Sequence, residues 1–285
     1  MQESMSEKEI LTESNALLHL LQKEGYKSYA AKIKRNHYVL PALIEDQKVD
    51  FLIDTGCTHC TIDEGLAKDL GLQLQESGHI KTMFGEMEAH STTLAKLDLG
   101  GFLIKHLPVH VNDGPTQGTL GLDLLVYCHA VFDARAGVLH VQPPQGAQPS
   151  IDSHLLSQGY TRVALVFRNN ALFVPVKIAG REVVALLDTG CNLSLLDKDF
   201  SNLAKIRQIR TRSRVEDADG NTQSVYKVEL DSISLGSFSL PKTLMGSSSV
   251  AKRSSEPHPA MVLGLDLLTL HHAIIDLANG AIYLK

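Results

Sequence analysis

The tripeptide Asp-Thr-Gly occurs twice in this chain, at residues 54–56 and 188–190, and each copy directly follows an apolar run. Two carboxyl groups held side by side cannot both be ionised, so one of them retains a proton. Such a pair can activate a water molecule without a metal or a covalent nucleophile. Asp54 and Asp188 are therefore the candidate catalytic residues, provided that the fold brings them together.

The segments around the two tripeptides recur as well, which indicates an internal duplication. Residues 39–44 match residues 173–178 with the same spacing as the two aspartates, and Leu120–Leu125 returns as Leu263–Leu268. A single Asp-Thr-Gly often does no more than form a turn after a buried strand. That alternative does not explain why the whole surroundings repeat. Four further aspartates that repeat are interpreted as turn or helix-end residues. They are Asp123, Asp133, Asp266 and Asp276.

Short apolar or alternating runs, separated by Gly, Asn and Pro, predict a chain made mostly of β-strands. In each half, a turn signal after Asp-Thr-Gly predicts a hairpin that could close over a bound ligand. The candidate tip residues are Met83, Phe84, Gly85 and Glu86 in the first half, and Asp219, Gly220 and Asn221 in the second. The alternative is that both are ordinary exposed turns, because a turn signal alone does not imply ligand contact.

Each half thus has an apolar run into Asp-Thr-Gly, then a hairpin, then two apolar residues and a glycine that open a short helix. This ordered set resembles the retropepsin-like family of aspartic proteases over about residues 38–143 and 172–285. The resemblance implies an all-β fold with two retropepsin-like (acid protease) β-barrel lobes related by a pseudo-two-fold axis. It also implies a monomer that acts as a pseudo-dimer, with one catalytic aspartate from each lobe.

The resemblance further implies an aspartic endopeptidase that hydrolyses a peptide or protein substrate and needs no cofactor. The ionised aspartate takes a proton from the attacking water, and the protonated one supports the developing oxyanion. Thr55 and Thr189 are expected to cross-link the two loops, while Gly56 and Gly190 let the backbone approach the carboxylates. Two alternatives stay open: a catalytically silent peptide-binding or regulatory protein, and an enzyme that cleaves only a partner docked by strand addition.

Cys57 and Cys191 follow the two tripeptides, where the family usually has Ala, Ser or Thr. A hydroxyl at this position hydrogen-bonds the aspartate and favours its charged form, but a thiol is a much weaker donor. We therefore expect a mildly acidic or neutral pH optimum. The simpler alternative is that both cysteines are small buried fillers. Cys57 and Cys60 also form a C-x-x-C pattern, as in a redox pair or half of a zinc site. The second half lacks this spacing, and we expect no metal site.

A stretch rich in Pro and Gly, residues 143–150, separates the two halves. Before the first half, helical signals predict one helix from Ser6 to near Gly25 and a second short helix from Tyr26 to Arg35. This segment is either a helical pair docked on the first lobe or a basic prosegment that approaches the acidic dyad. Its basic residues are Lys27, Lys32, Lys34 and Arg35.

The predicted units are an N-terminal helical extension at 1–37, a first lobe at 38–143, a linker at 144–159 and a second lobe at 160–285.

The composition argues against two classes of partner. The formal net charge is −5, and without an evident basic face we expect neither nucleic acid nor an anionic membrane as the main partner. No apolar run is long enough to span a bilayer, and the charged start does not resemble a secretory signal. The four cysteines lack a disulfide spacing pattern, which favours a reducing compartment. The sequence thus predicts a cytoplasmic protein.

Overall fold

The computed structural model describes residues 7–81, 86–114, 116–146, 148–216, 220–250 and 258–285. Its helices are α1 (Glu7–Lys23), α2 (Glu64–Asp69), α3 (Leu122–Tyr127), α4 (Asp152–Ser157), α5 (Lys198–Leu203) and α6 (Leu265–Leu270). Each helix after α1 has only six residues, so strands dominate and the all-β prediction is confirmed. In the ranges given above, no helix combines the length and the apolar character that crossing a membrane requires.

The strands are distributed over both halves. The first half contains β1 (Lys27–Ala30), β2 (Lys32–Lys34), β3 (His37–Ile44), β4 (Gln47–Ile53), β5 (Thr61–Asp63), β6 (Gln75–Lys81), β7 (Glu86–Asp98), β8 (Leu103–Asn112), β9 (Gly118–Leu120), β10 (Val131–Asp133) and β11 (Val138–Val141). The second half contains β12 (Thr161–Ala164), β13 (Val166–Arg168), β14 (Ala171–Ile178), β15 (Arg181–Leu187), β16 (Leu195–Asp197), β17 (Gln208–Glu216), β18 (Thr222–Leu230), β19 (Ile233–Leu235), β20 (Phe238–Leu240), β21 (Thr243–Ser248), β22 (Met261–Leu263), β23 (Ile274–Asp276) and β24 (Ala281–Leu284).

Each half builds its own sheet around the strand that leads to Asp-Thr-Gly. The first sheet has eight strands in the order β2-β3-β4-β9-β5-β8-β7-β6. The second has ten, in the order β17-β18-β21-β16-β22-β15-β14-β19-β20, with β13 paired to β14. In the first sheet, the strand before the aspartate, β4, runs parallel to β9, which precedes helix α3. In the second sheet, β15 likewise runs parallel to β22, which precedes helix α6. The equivalent placement confirms the two-lobed architecture.

A third sheet joins the two lobes. It has six strands in the order β1-β11-β10-β23-β24-β12, so the first half supplies three strands on one side, the second half supplies three on the other, and the two halves meet at the centre. There β10 and β23 pair antiparallel, and Phe132 lies opposite Ile275, its counterpart in the repeat. Both strands are completely buried. A local two-fold axis therefore passes between β10 and β23, as the pseudo-two-fold prediction requires.

The N-terminal segment packs against this joining sheet. Helix α1 buries Leu17 and Leu21 in a small core that also contains Tyr26, Tyr160 and Tyr283. Because Tyr160 and Tyr283 belong to the second half, α1 contacts more than the first lobe.

The second short helix predicted for Tyr26–Arg35 is wrong. Strand β1 pairs with β11, and β2 forms a hairpin with β3. Arg35 and Asn36 make the hairpin turn with positive φ angles of 49° and 64°. For β1 the pairing with the distant strand β11, and for β2 the tight hairpin with β3, outweigh the weak helical preference of so short a segment.

Two of the four basic residues of this segment bind within the first lobe. The Lys27 ammonium donates to the Gly101 carbonyl oxygen at 2.7 Å, and Lys34 forms an ion pair with Asp50. The prosegment hypothesis required these cations to approach the acidic dyad, and for Lys27 and Lys34 the structure contradicts it. The limits of the four predicted units stay a prediction, and helix α4 lies inside the predicted linker.

Candidate active site

Strand pairing places the two aspartates at equivalent points of the two lobes. The Asp54 amide donates to the Leu120 carbonyl at 3.2 Å, and the Asp188 amide donates to the Leu263 carbonyl at 3.1 Å. The residue after each of these carbonyls is a glycine that opens a helix. A Cβ on Gly121 would lie 2.3 Å from the His59 carbonyl carbon, so only glycine allows the loop and the helix to pack this closely.

Thr55 and Thr189 connect the two loops through four hydrogen bonds. The Thr55 amide donates to the Thr189 hydroxyl at 3.0 Å, and the Thr189 amide donates to the Thr55 hydroxyl at 3.1 Å. Each hydroxyl then donates at 2.9 Å to a carbonyl of the other lobe, that of Leu187 or of Ile53. The two threonines are 2% and 0% exposed. The cross-link expected from the sequence is thus present, and it fixes the separation of the two loops.

The carboxyl groups of Asp54 and Asp188 lie together across the lobe boundary and share a hydrogen bond. A Cβ on Gly56 would lie 2.4 Å from the Asp188 Cγ, and a Cβ on Gly190 would lie 2.3 Å from the Asp54 Cγ. Each carboxyl therefore rests against the glycine of the opposite loop. Any side chain at either glycine would displace the facing carboxyl.

Burial is the main influence on Asp54 and raises the pKa of its carboxyl group. Hydrogen bonds oppose this shift, because the Gly56 and Cys57 amides donate to Asp54 Oδ1 at 2.7 and 3.1 Å. The bond from Asp188 and the nearby His37 side chain also lower the pKa. A buried carboxyl in contact with a second one titrates together with it, so the pair retains one proton over a wide pH range.

His37 is a neighbour of Asp54 that no sequence motif singles out. The Asn192 side-chain amide donates to its Nε2 at 3.0 Å and to the Arg35 carbonyl at 3.3 Å. Burial lowers the pKa of His37, and the negative charge of Asp54 partly offsets this. The repeat places Ala171 at the same position of β14, so the position equivalent to His37 in the second lobe carries no basic side chain. Aligning the two halves residue by residue would have revealed the difference.

The cysteines beside the dyad do not hydrogen-bond the aspartates through their thiols. Cys57 Sγ donates to the His59 carbonyl at 3.1 Å, and Cys191 Sγ donates to the Leu193 carbonyl at 3.0 Å. Burial and the adjacent carboxylates raise the pKa of both thiols, so both stay protonated. The expected pH optimum stays a prediction.

The C-x-x-C pattern has structural contacts. Cys60 is buried, its Sγ lies 3.2 Å from Asp123 Oδ1, and its pKa is raised well above the usual value by burial. Across the described ranges, no three His, Cys, Asp or Glu side chains are grouped so that they could hold a metal ion.

The other repeated aspartates have the structural roles that the sequence predicts. Asp123 accepts from the Cys60 amide at 3.0 Å, and Asp266 accepts from the Ser194 amide at 2.8 Å and its hydroxyl at 2.6 Å. Asp133 and Asp276 accept from backbone amides three residues later. The bonds of Asp123 and Asp266 hold the loops that follow Asp-Thr-Gly, and those of Asp133 and Asp276 hold the turns after β10 and β23.

Each predicted hairpin is present, as β6–β7 in the first lobe and β17–β18 in the second. The candidate tip residues Met83, Phe84, Gly85 and Asp219 lie outside the described residues. Glu86 begins β7, Gly220 has a positive φ of 75°, and Asn221 directly precedes β18. Contact of these residues with a ligand stays a prediction.

A family model described as aspartyl protease matches residues 40–124 and 174–267, which together make up more than half of the chain. Among curated proteins, DNA damage-inducible protein 1 of Neurospora crassa is 26% identical over 118 residues. That match covers 40% of this chain and 25% of the fungal protein, so the chain spans a small part of that relative's length.

Two solved structures are also similar. The aspartic proteinase from Irpex lacteus has 12% sequence identity and a TM-score of 0.51, with 92% of this chain and 97% of that chain covered. The retropepsin-like aspartic protease from Rickettsia conorii has 24% identity and a TM-score of 0.35, with 41% of this chain and 89% of that chain covered. The first similarity extends over both lobes and concerns the fold. Since the family model matches once in each half, and each match includes one Asp-Thr-Gly loop, this chain belongs to the aspartyl protease family.

Proposed function

We propose that this protein is an aspartic endopeptidase in which Asp54 and Asp188 together activate a water molecule. The observation that carries the proposal is the reciprocal contact of the two loops. Each threonine binds the opposite loop, and each carboxyl rests against the opposite glycine. Two carboxyl groups in mutual contact hold one proton between them, which supplies a base and an acid at one site.

The chemistry follows from that single proton. The ionised carboxylate removes a proton from a bound water as the water oxygen bonds to the carbonyl carbon of the peptide. The protonated carboxyl donates its proton to the carbonyl oxygen, which gives a neutral tetrahedral intermediate. When the C–N bond breaks, one carboxyl donates its proton to the leaving nitrogen, and the other carboxylate takes a proton from a hydroxyl of the tetrahedral intermediate, which becomes the carboxylic acid product. The pair is then singly protonated again. In this proposal Thr55 and Thr189 keep the carboxyl groups at a constant distance, and the hairpin tips contact the substrate.

The test compares four forms of the chain on a diverse peptide library, with products identified by mass spectrometry. They are the wild type, Asp54→Asn, Asp188→Asn and the control Asp69→Asn, which alters an exposed aspartate of the first lobe. We expect the wild type and the control to cleave the same bonds. Each dyad variant should lose about a thousandfold or more in kcat/KM, because neither carboxyl works alone.

Two outcomes would overturn the proposal. If the wild type binds peptides and cleaves none, the silent binding protein is the correct alternative. If Asp54→Asn cleaves as well as the wild type, the activity comes from another site or from a contaminant. Since one chain carries both aspartates, we also expect full activity at concentrations where the protein is monomeric, which size-exclusion chromatography of the assayed sample checks.

A further inference from the structure

The segment from Lys205 to Arg214, which we call the arginine edge, carries five basic residues and no acidic one. They are Lys205, Arg207, Arg210, Arg212 and Arg214, and all five are exposed. The sequence argument from net charge overlooked this segment, because the chain as a whole is negatively charged. Such a concentration of cations in a chain of net charge −5 attracts negatively charged partners.

The duplication does not account for these charges. The corresponding stretch of the first half, Gly71–Ile80, contains no lysine or arginine and includes Glu76. The ion pairs that lysine and arginine form among the described residues are Lys34 with Asp50, Arg162 with Asp152, and Lys242 with Glu229. None of these neutralises the arginine edge. The charge is therefore a property of the second lobe alone.

Most of the arginine edge lies in strand β17, which is the last strand of the ten-stranded sheet. Within the described part of the chain, β17 pairs with β18 on one side and with no strand on the other. The Arg214 guanidinium donates to the Thr222 hydroxyl at 2.6 Å and to its carbonyl at 3.0 Å, which holds this side chain along the hairpin. The register is irregular between Arg210 and Arg214, where the Thr211 hydroxyl binds the Val225 carbonyl.

We propose that the arginine edge binds an acidic, extended polypeptide segment, which adds to the free side of β17 and places its carboxylates on the arginines. Backbone groups along a sheet edge recognise an extended peptide, and side chains at alternate positions select its sequence. Arg210 and Arg214 lie on either side of the irregular register of β17, with Arg212 between them, so the three cations are grouped along the edge without forming one regular alternating row. A nucleic acid is a poorer match, because the segment has no aromatic side chain on which bases could stack. This binding does not depend on the proposed hydrolysis.

The alternative to binding is protection, since charged side chains and bulges also prevent sheet edges from aggregating. The test therefore measures binding directly, on the 285-residue chain with the Asp54→Asn substitution, so that no peptide is cleaved. The probe is a fluorescein-labelled eight-residue peptide of alternating Glu and Thr, and its neutral match has Gln in place of Glu. Fluorescence anisotropy at 50 mM and 300 mM NaCl gives the dissociation constants.

We expect the Glu peptide to bind about tenfold or more tightly than the Gln peptide at 50 mM NaCl, and to weaken at 300 mM. The triple variant Arg210→Glu, Arg212→Glu, Arg214→Glu should lose about tenfold or more in affinity. The matched control changes three exposed lysines elsewhere, Lys48, Lys105 and Lys177, to Glu and has the same net charge. It should retain affinity within about twofold, and circular dichroism checks that both variants are folded.

Strand addition has its own readout. Two further Glu peptides carry N-methyl groups on the odd or on the even backbone amides, which keeps the charge and blocks one side of the backbone. One of the two should bind about tenfold more weakly than the other, because only one side of an added strand faces β17. Equal binding of both overturns strand addition. The proposal as a whole fails if the Gln peptide binds equally well, if the arginine variant keeps its affinity, or if an oligothymidine of eight nucleotides binds as tightly.

Discussion

Among single residues, Thr55 and Thr189 make a contribution to the free energy of unfolding that can be measured. Thr55→Ala removes one hydroxyl and leaves the Leu187 carbonyl and the Thr189 amide without their bonds in a buried region. We expect the free energy of unfolding to fall by about 2 kcal/mol, measured by urea denaturation. Thr55→Ser keeps the hydroxyl and should lose much less.

The double variant Thr55→Ala, Thr189→Ala tests whether the four bonds form one network. Its loss should be smaller than the sum of the two single losses, because each single change already weakens bonds of the partner. Additive losses would show that the two threonines act independently.

His37 gives a residue-scale prediction about pH. When it is protonated, His37 favours the ionised form of Asp54 and lowers the pKa of that carboxyl. His37→Ala introduces the residue that the second lobe has at the equivalent position, Ala171. It removes the positive charge near Asp54, so the pKa of Asp54 should rise. We therefore expect the acidic limb of the kcat/KM profile for peptide cleavage to move to higher pH.

A second variant separates charge from packing at this position. His37→Gln keeps a hydrogen-bond acceptor for Asn192 but carries no charge, and it should move the acidic limb in the same direction as His37→Ala. If neither variant moves the limb, His37 has no electrostatic role at the dyad.

At the scale of elements, strand β11 of the joining sheet contains a buried histidine that should couple stability to pH. His140 hydrogen-bonds the Ser28 hydroxyl at 2.8 Å, and burial lowers its pKa to about 4. In the unfolded chain the same histidine has a pKa of about 6.5. The neutral, buried histidine therefore contributes its full stability above that pH, and the protein loses this stability as the pH falls towards 4. The loss contributed by His140 alone is about 3 kcal/mol.

The measurement compares urea unfolding of the wild type and His140→Gln at pH 7, 5.5 and 4.5. Glutamine does not titrate, so the stability difference between the two proteins should shift in favour of the variant as the pH falls. The comparison also removes the contribution of Asp54, whose raised pKa has the opposite effect on stability. A constant difference at all three pH values would contradict the prediction.

Sequence patterns predicted the elements that depend on local signals. The strands leading to Asp54 and Asp188, the two hairpins and the paired loops follow from short apolar runs, turn residues and the repeat. The helix predicted over β1 and β2 is wrong because β1 depends on a partner far away in sequence, β11, and because β2 depends on the two-residue turn that pairs it with β3. For the same reason no local pattern indicated that Asn192 binds His37 across the lobe boundary.

At the scale of the whole molecule, the two lobes should unfold together. The joining sheet pairs β10 with β23, and one hydrophobic cluster includes residues of both halves, such as Leu40 and Val174. Because separation of the lobes would expose this shared core, we expect a single cooperative transition.

The chain contains no tryptophan, so a probe can be placed in each lobe separately. Phe102→Trp reports on the first lobe and Phe238→Trp on the second, since both side chains are less than 10% exposed. The urea midpoints from tryptophan fluorescence should coincide with each other and with the midpoint from circular dichroism. Two separate midpoints would show that the lobes are independent folding units.

The two lobes place different residues at equivalent positions near their aspartates, so the site is not fully symmetrical. An enzyme built from two identical subunits offers a peptide two equivalent orientations, because rotation about the axis exchanges its halves. Here His37 faces one aspartate and Ala171 occupies the matching position beside the other. Under the proposed function, a substrate running from its N-terminus to its C-terminus and the same substrate reversed meet chemically different surfaces, so one polarity of the bound chain is preferred.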